Sequence, residues 1–453
     1  MGAQRTVRYG TAAAVLALVL SACGSGDGAD GQTEQEDTDK PASAPAHGPK
    51  GFAAPVKFST AQAVALPDSA GAGKSGLAGY QRPLPIALHK GVAFISRPDG
   101  LEVSNALRAS DPVLITPEHE PVTKIEQVGG GSANNPAEAP LITSVGGRTL
   151  AFNALVTDVP GSGTSKGHEA VELMATDTAT ATKSWFVEIE LVEEEDEFAD
   201  DRDEAYVVGR SGDTVVVFAR GEVFGVDIKS HKRIWKADEW YRNGPVAVGD
   251  TIVAVTNNAG SDYQVIGLDG ANGKQVWKSP RVNASESGSG LDVTGPDSVL
   301  AYEYADGTEE DEEAEGQEYL LDAATGRVRR TFPEDSPTGR CSYDGLSVTV
   351  CWSSGWDDEA SAHVDKAAAY DPKSGKELWK LPDASGDRMA PKVTLVRQGL
   401  IYGTTENGPV VVDARTGQDK EDAPGIAPLF TDGYVGVTET LKGVGYTAYR
   451  AVG

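Results

Sequence analysis

Short apolar runs alternate with turn-forming polar clusters along most of this chain. Val223-Phe-Gly-Val226, Val265-Ile-Gly-Leu268, Ala367-Ala-Ala-Tyr370 and Val410-Val-Val412 are too short for helices and read as strands. Each runs into an Asp that opens a turn: Asp227, Asp269, Asp371 and Asp413, with further copies at Asp177 and Asp322. Four turns have the form Asp-x-x-Ser/Thr/Asn-Gly and end on Gly273, Gly326, Gly375 and Gly417, whereas Ala181 and His231 stand at the Gly position in the other two. Asp and Ser/Thr hydrogen-bond nearby backbone, and Gly takes the positive φ that closes such a turn at low cost. A second strand follows, as in Lys274-Gln-Val-Trp277 and Lys376-Glu-Leu-Trp379. Upstream lies another strand pair, such as residues 245–248 with 251–255, or 393–396 with 400–402.

Successive turn Asp residues stand 50, 42, 53, 49 and 42 positions apart, so one supersecondary unit is stacked many times. Two strands, a loop and a hairpin make a four-stranded antiparallel sheet, the blade of a β-propeller. Eight positions after the Asp stands Trp185, Trp235, Trp277 or Trp379, while Arg330 and Glu421 occupy that place in the copies at Asp322 and Asp413. A ring at one fixed place in each unit, burying about 150–250 Å², is suited to filling the gap between neighbours.

The units resemble pyrroloquinoline-quinone-type propeller repeats, whose pattern is Ala-x-Asp-x-x-Thr-Gly-x-x-x-Trp. Leu321-Asp322-Ala-Ala-Thr-Gly326 and Tyr370-Asp371-Pro-Lys-Ser-Gly375 with Trp379 carry it best, and the resemblance covers most of residues 85–453. A weaker copy around Leu101-Glu-Val-Ser-Asn105 has Asn for Asp, and Tyr446-Thr-Ala-Tyr-Arg450 reads as a third strand that runs out of chain. Residues 56–66 can supply the missing fourth strand and close the ring, leaving no open sheet edge between first and last blades. The expectation is an all-β propeller over residues 56–453, with eight four-stranded blades, or seven as the alternative.

The front of the chain reads as an address. Arg5 and Arg8 precede a short apolar run over 12–20, then Leu20-Ser-Ala-Cys23, so residues 1–22 are expected to be a signal peptide. Leu-Ser-Ala-Cys resembles the bacterial lipobox, which implies acylation of Cys23 and anchoring on the extracytoplasmic face of a membrane. Residues 23–55, nearly devoid of apolar side chains at first, then form a flexible tether. More than one acyl chain is needed for stable anchoring.

The formal net charge is −28, which offers no basic stripe for nucleic acid and disfavours a bare anionic membrane surface. Acidic runs at 193–204 and 306–318 read as solvated loops, with cation capture or a basic partner as the functional alternative. Neither has the alternating spacing of a calcium loop. With Cys23 committed to lipid, Cys341 and Cys351 remain, flanking the turn signal Asp344-Gly345, and a disulfide across one hairpin is expected.

Quinone-dependent alcohol dehydrogenases share this repeat, stacking a vicinal Cys pair on the quinone beside a calcium held by Glu, Asn and Asp. This chain has no adjacent cysteines, its six histidines show no His-x-x-x-His spacing, and no Gly-x-Ser-x-Gly elbow occurs. No catalytic residue, cofactor or metal is therefore assigned, and quinone with calcium is kept as the alternative. Trp352 and Trp356 lie outside the repeat position and are candidate contacts for a protein or a sugar. The sequence thus points to a monomeric, lipid-anchored, non-catalytic binding or scaffold module for an unidentified cell-envelope protein. A quinone-dependent oxidoreductase and a carbohydrate-binding propeller are the alternatives.

Overall fold

The computed structural model describes residues 51–71, 85–122, 138–191, 205–239, 241–256, 263–284, 290–303, 317–333, 336–357, 362–383, 385–439 and 445–453. The expected signal peptide, Cys23 and most of the tether lie outside these residues, as do most of the two acidic runs. The described chain is all strand apart from one 3-10 turn at Asp68–Gly71.

Eight antiparallel sheets follow one another as the blades of a β-propeller. Blades 1 to 7 span residues 86–115, 141–190, 205–236, 241–284, 291–331, 340–381 and 392–421. Blade 8 takes three strands from the end of the chain, Phe430–Thr431, Val435–Glu439 and Tyr446–Ala451, and its fourth, Phe58–Ala65, from the beginning. Ala63, Val64 and Ala65 pair with Tyr449, Ala448 and Thr447, so first and last strands close the ring. Contact with the propeller begins ahead of residue 56, because the Phe52 amide donates to the Gly433 carbonyl at 2.9 Å and the Tyr402 hydroxyl donates to the Pro55 carbonyl at 2.7 Å.

Every blade is sandwiched between two others, which explains the composition of its inner strands. In blade 3 the strand Thr214–Ala219 is buried at every position, with Val215, Val216 and Val217 all at 0% exposure. A strand covered on both faces needs an unbroken apolar run, not alternation. The outer strand Lys232–Lys236 has a neighbour on one edge only and buries just Trp235. One apolar cluster occupies each of the eight seams, from Phe94 and Leu101 against Ala151 between blades 1 and 2, to Val435 and Val437 against Ile86 and Ile95 between blades 8 and 1. Blade 2 carries an additional short strand, Glu120–Pro121, which pairs with Asp158 and Thr157 beyond the end of its first strand.

Candidate functional site

The repeated residues build the seams. In each turn the amide of the fifth residue donates to the carbonyl of the Asp, as Gly375 does to Asp371 at 2.8 Å. The Asp side chain then accepts from the fourth residue: Ser230 onto Asp227, Thr325 onto Asp322, Ser374 onto Asp371 and Thr416 onto Asp413, through both amide and hydroxyl at 2.6–3.0 Å. In the other two copies the amide of the third residue donates, Ala179 to Asp177 at 2.9 Å and Ala271 to Asp269 at 2.8 Å. The hydrogen bonds from Ser230 and Ser374 hold the Asp227 and Asp371 carboxyls below the usual range. At Asp322 burial works against ionisation, but hydrogen bonds from Arg329 and Thr325 outweigh it. The turn closes in the left-handed region whether or not Gly is there, with φ 52° at Ala181 and 53° at His231 beside 65–71° at the four Gly residues.

A β-bulge aims each Trp. Gly225 pairs with Trp235 but its neighbour Val226 pairs with Arg233, so Ile234 is squeezed out of register. Val276 and Leu378 are extruded in the same way ahead of Trp277 and Trp379. This accounts for the exposure of these three aliphatic residues, since a bulge redirects the side chains around it. The ring then covers the strand position opposite it, which must be small: a Cβ on Gly225 or Gly267 would come within 2.1–2.2 Å of the indole.

The far face of each ring meets the turn of the next blade. Gly273 lies against Trp235, Gly326 against Trp277 and Gly417 against Trp379, while His231 stacks on Trp185 at 4.4 Å between ring centres. Where Trp is missing the contact survives in polar form. Arg330 reaches the Gly375 carbonyl and lies over the rings of Phe332 and Tyr370, and Glu421 pairs with Lys57 at 2.9 Å.

The blade 5–6 seam combines apolar packing with carboxyl groups. Asp292 accepts from the Tyr302 hydroxyl at 2.9 Å and the Cys341 amide at 3.1 Å. Burial nevertheless raises its carboxyl, and burial together with the Asp292 charge pushes Glu318 up to about 7. Cys341 and Cys351 sit opposite one another on neighbouring strands of blade 6 and are joined by a disulfide buried in this seam. Glu172 in blade 2, a fully buried carboxylate, accepts the Glu118 amide at 2.8 Å and the His119 amide at 3.3 Å, and burial raises it. These bonds pin the segment that leads into the additional strand.

Between blades 6 and 7 the seam opens into a cleft of about 240 Å³. Leu381, Pro391, Val410 and Val412 give it apolar walls, and Asp387, Asp419 and Asp422 give it an acidic border. Met389 at its lip is 45% exposed. Arg388, also in the lining, is held by Asp419 at 2.6 Å. Trp352 shares a cross-strand row with Leu381, since both pair with Ala367, and it is half-buried against the blade 6–7 core. The Trp356 backbone pairs with His363 four residues along the same strand. Sequence reasoning did not find this cleft, because its lining comes from two repeats and the connection between them.

Among the described residues no group of three or more His, Cys, Asp or Glu side chains is placed to hold a metal ion. The cysteines described here are bonded to each other across a strand pair inside a seam, so they do not supply the vicinal pair that quinone enzymes stack on their cofactor.

An eight-bladed ring with Asp turns and Trp plugs defines a propeller of the pyrroloquinoline-quinone-like class. The family described as outer membrane protein assembly factor BamB matches residues 169–418, more than half of the chain, and the chain belongs to that family. Among solved structures, BamB from Moraxella catarrhalis is 14% identical with a TM-score of 0.31, the match covering 68% of this chain and 96% of that one. The β-propeller domain of Cps50 (Swd1) from Myceliophteria thermophila is 10% identical with a TM-score of 0.34, over 69% and 98%. A chain of the mitotic checkpoint complex is 11% identical with a TM-score of 0.38, over 85% and 95%. At those scores the three structures carry no argument about this chain. No curated protein matches it.

Proposed function

We propose that this protein is a non-catalytic propeller, held at the extracytoplasmic face of a membrane by lipid on Cys23, that binds and positions a protein of the cell envelope. The observation that carries the reading is membership of a family described as an assembly factor. Two further features support it: the ring is built from packing and turn residues, and its cysteines are engaged in a structural bond. Anchoring on Cys23 rests on the basic, apolar and Leu-Ser-Ala-Cys pattern at the front of the chain. Calorimetric titration of the full chain in detergent with pyrroloquinoline quinone, with and without calcium, tests the reading against its enzymatic alternative. No heat is expected in either condition; stoichiometric uptake would overturn the non-catalytic assignment.

A further inference from the structure

We propose that the cleft between blades 6 and 7 docks an extended segment of a partner protein in which an aliphatic or aromatic side chain is flanked by Lys or Arg. The inference deepens the binding-module reading and rests on it. At about 240 Å³ the cleft is smaller than the roughly 300–1,000 Å³ of sites that enclose drug-sized ligands, so it suits one side chain rather than a cofactor. Leu381 and Val410 from the two facing blades contribute an apolar lining, and the flexible, exposed Met389 at the lip can adjust to the shape of the anchor.

The border sets the sign of what flanks that anchor. Asp387, Asp419 and Asp422 stand against one guanidinium, Arg388, which Asp419 already engages. Charge complementarity of this kind guides encounter and rejects wrong partners. It also disfavours the occupants nearest at hand. A second copy of the chain carries a net −28, and residues 24–50 hold six acidic residues against two lysines, so both meet the cleft with like charge. A basic, partly apolar segment of another protein is left as the occupant.

A random-peptide library selected on the full chain in detergent tests this directly. Sequences with Lys or Arg beside an aliphatic or aromatic residue should be enriched. The leading peptide should bind about three- to ten-fold more weakly to Asp387→Asn/Asp422→Asn, two exposed changes, and more weakly in high salt. Enrichment without basic bias, or equal binding to the variant, would overturn the proposal. Cross-linking in intact cells followed by capture separates this inference from the broader reading. A partner recovered equally with wild type and variant sinks the cleft and leaves the binding module standing. No partner recovered with wild type sinks the binding module, while the peptide selection still decides the chemistry of the cleft.

Discussion

The indole nitrogen of Trp277 donates to the carbonyl oxygen of Ala323 at 2.8 Å and ties blade 4 to blade 5. Trp379 does the same to Ala414 at 2.9 Å between blades 6 and 7. Each ring also seals its seam, so truncation removes packing and a hydrogen bond together. Trp277→Ala is expected to cost about 3–5 kcal/mol. Trp277→Phe keeps most of the ring but leaves the Ala323 carbonyl without its donor, at about 1–3 kcal/mol. Denaturant unfolding followed by circular dichroism measures both, and two wild-type-like midpoints would show that the rings do not secure the seams.

Ala181 and His231 occupy the same left-handed position but should respond differently to replacement by Gly. Ala181→Gly relieves an unfavourable φ and is expected to stabilise by about 0.5–1 kcal/mol. His231→Gly gains similar relief but loses the stack on Trp185, worth about 0.5–1.5 kcal/mol, so its net effect should lie near zero or below. Equal stabilisation by both changes would mean that the imidazole stack contributes nothing.

Stability should fall as pH rises from about 4.5 to about 7. Glu318 holds its proton in the folded protein up to about 7, well above its ordinary value of 4.5, so across this window the folded state binds more protons than the unfolded one. The destabilisation is complete above about 7. Asp292, raised by burial in the same seam, acts with the same sign. The turn carboxyls Asp322, Asp371 and Asp413 are depressed and act oppositely, losing their contribution only as pH falls below the usual carboxyl range. Glu318→Gln should therefore stabilise the protein at pH 8 by about 1–2 kcal/mol, after allowance for its partial exposure, and change little at pH 4.5. An unchanged pH slope in the variant would exclude Glu318 as the source.

Replacing Cys341 and Cys351 together by Ser should lower stability by about 2–3 kcal/mol, the loop-closure contribution expected for a ten-residue separation. The same loss should follow in the native protein on reduction, and a midpoint indifferent to reductant would show that the bond does not support the blade 5–6 seam.

The period of the turn Asp residues made the propeller legible, and the degenerate strand around Tyr446 together with residues 56–66 made its closure legible. Local chemistry repeats in sequence because each blade solves the same packing problem. One signal was present and went unread: Gly225 and Gly267, two residues before the turn Asp, stand opposite a Trp, and Ala175 and Ala369 do so in the other Trp copies. Where Arg330 or Glu421 replaces Trp, the opposite residue is Leu320 or Val411. A covariation of small residue with large ring is a packing rule visible along the chain. The cleft and the Asp292–Glu318 pair were not legible, because each depends on the distance between strands from different parts of the chain. The short strand Glu120–Pro121 was hidden for a related reason, since Glu172 receives its leading segment from more than fifty residues away.

The most direct measurement places a photo-cross-linking residue, one at a time, at exposed positions around the ring in the full chain in intact cells. Leu114, Phe186, Ile234, Val276, Val293 and Met389 serve for this, as each is at least 37% exposed. A discrete covalent adduct with a second protein is predicted, strongest from Met389 beside the cleft. A folded protein that yields no adduct from any of these positions would contradict the account of this propeller as a binding module.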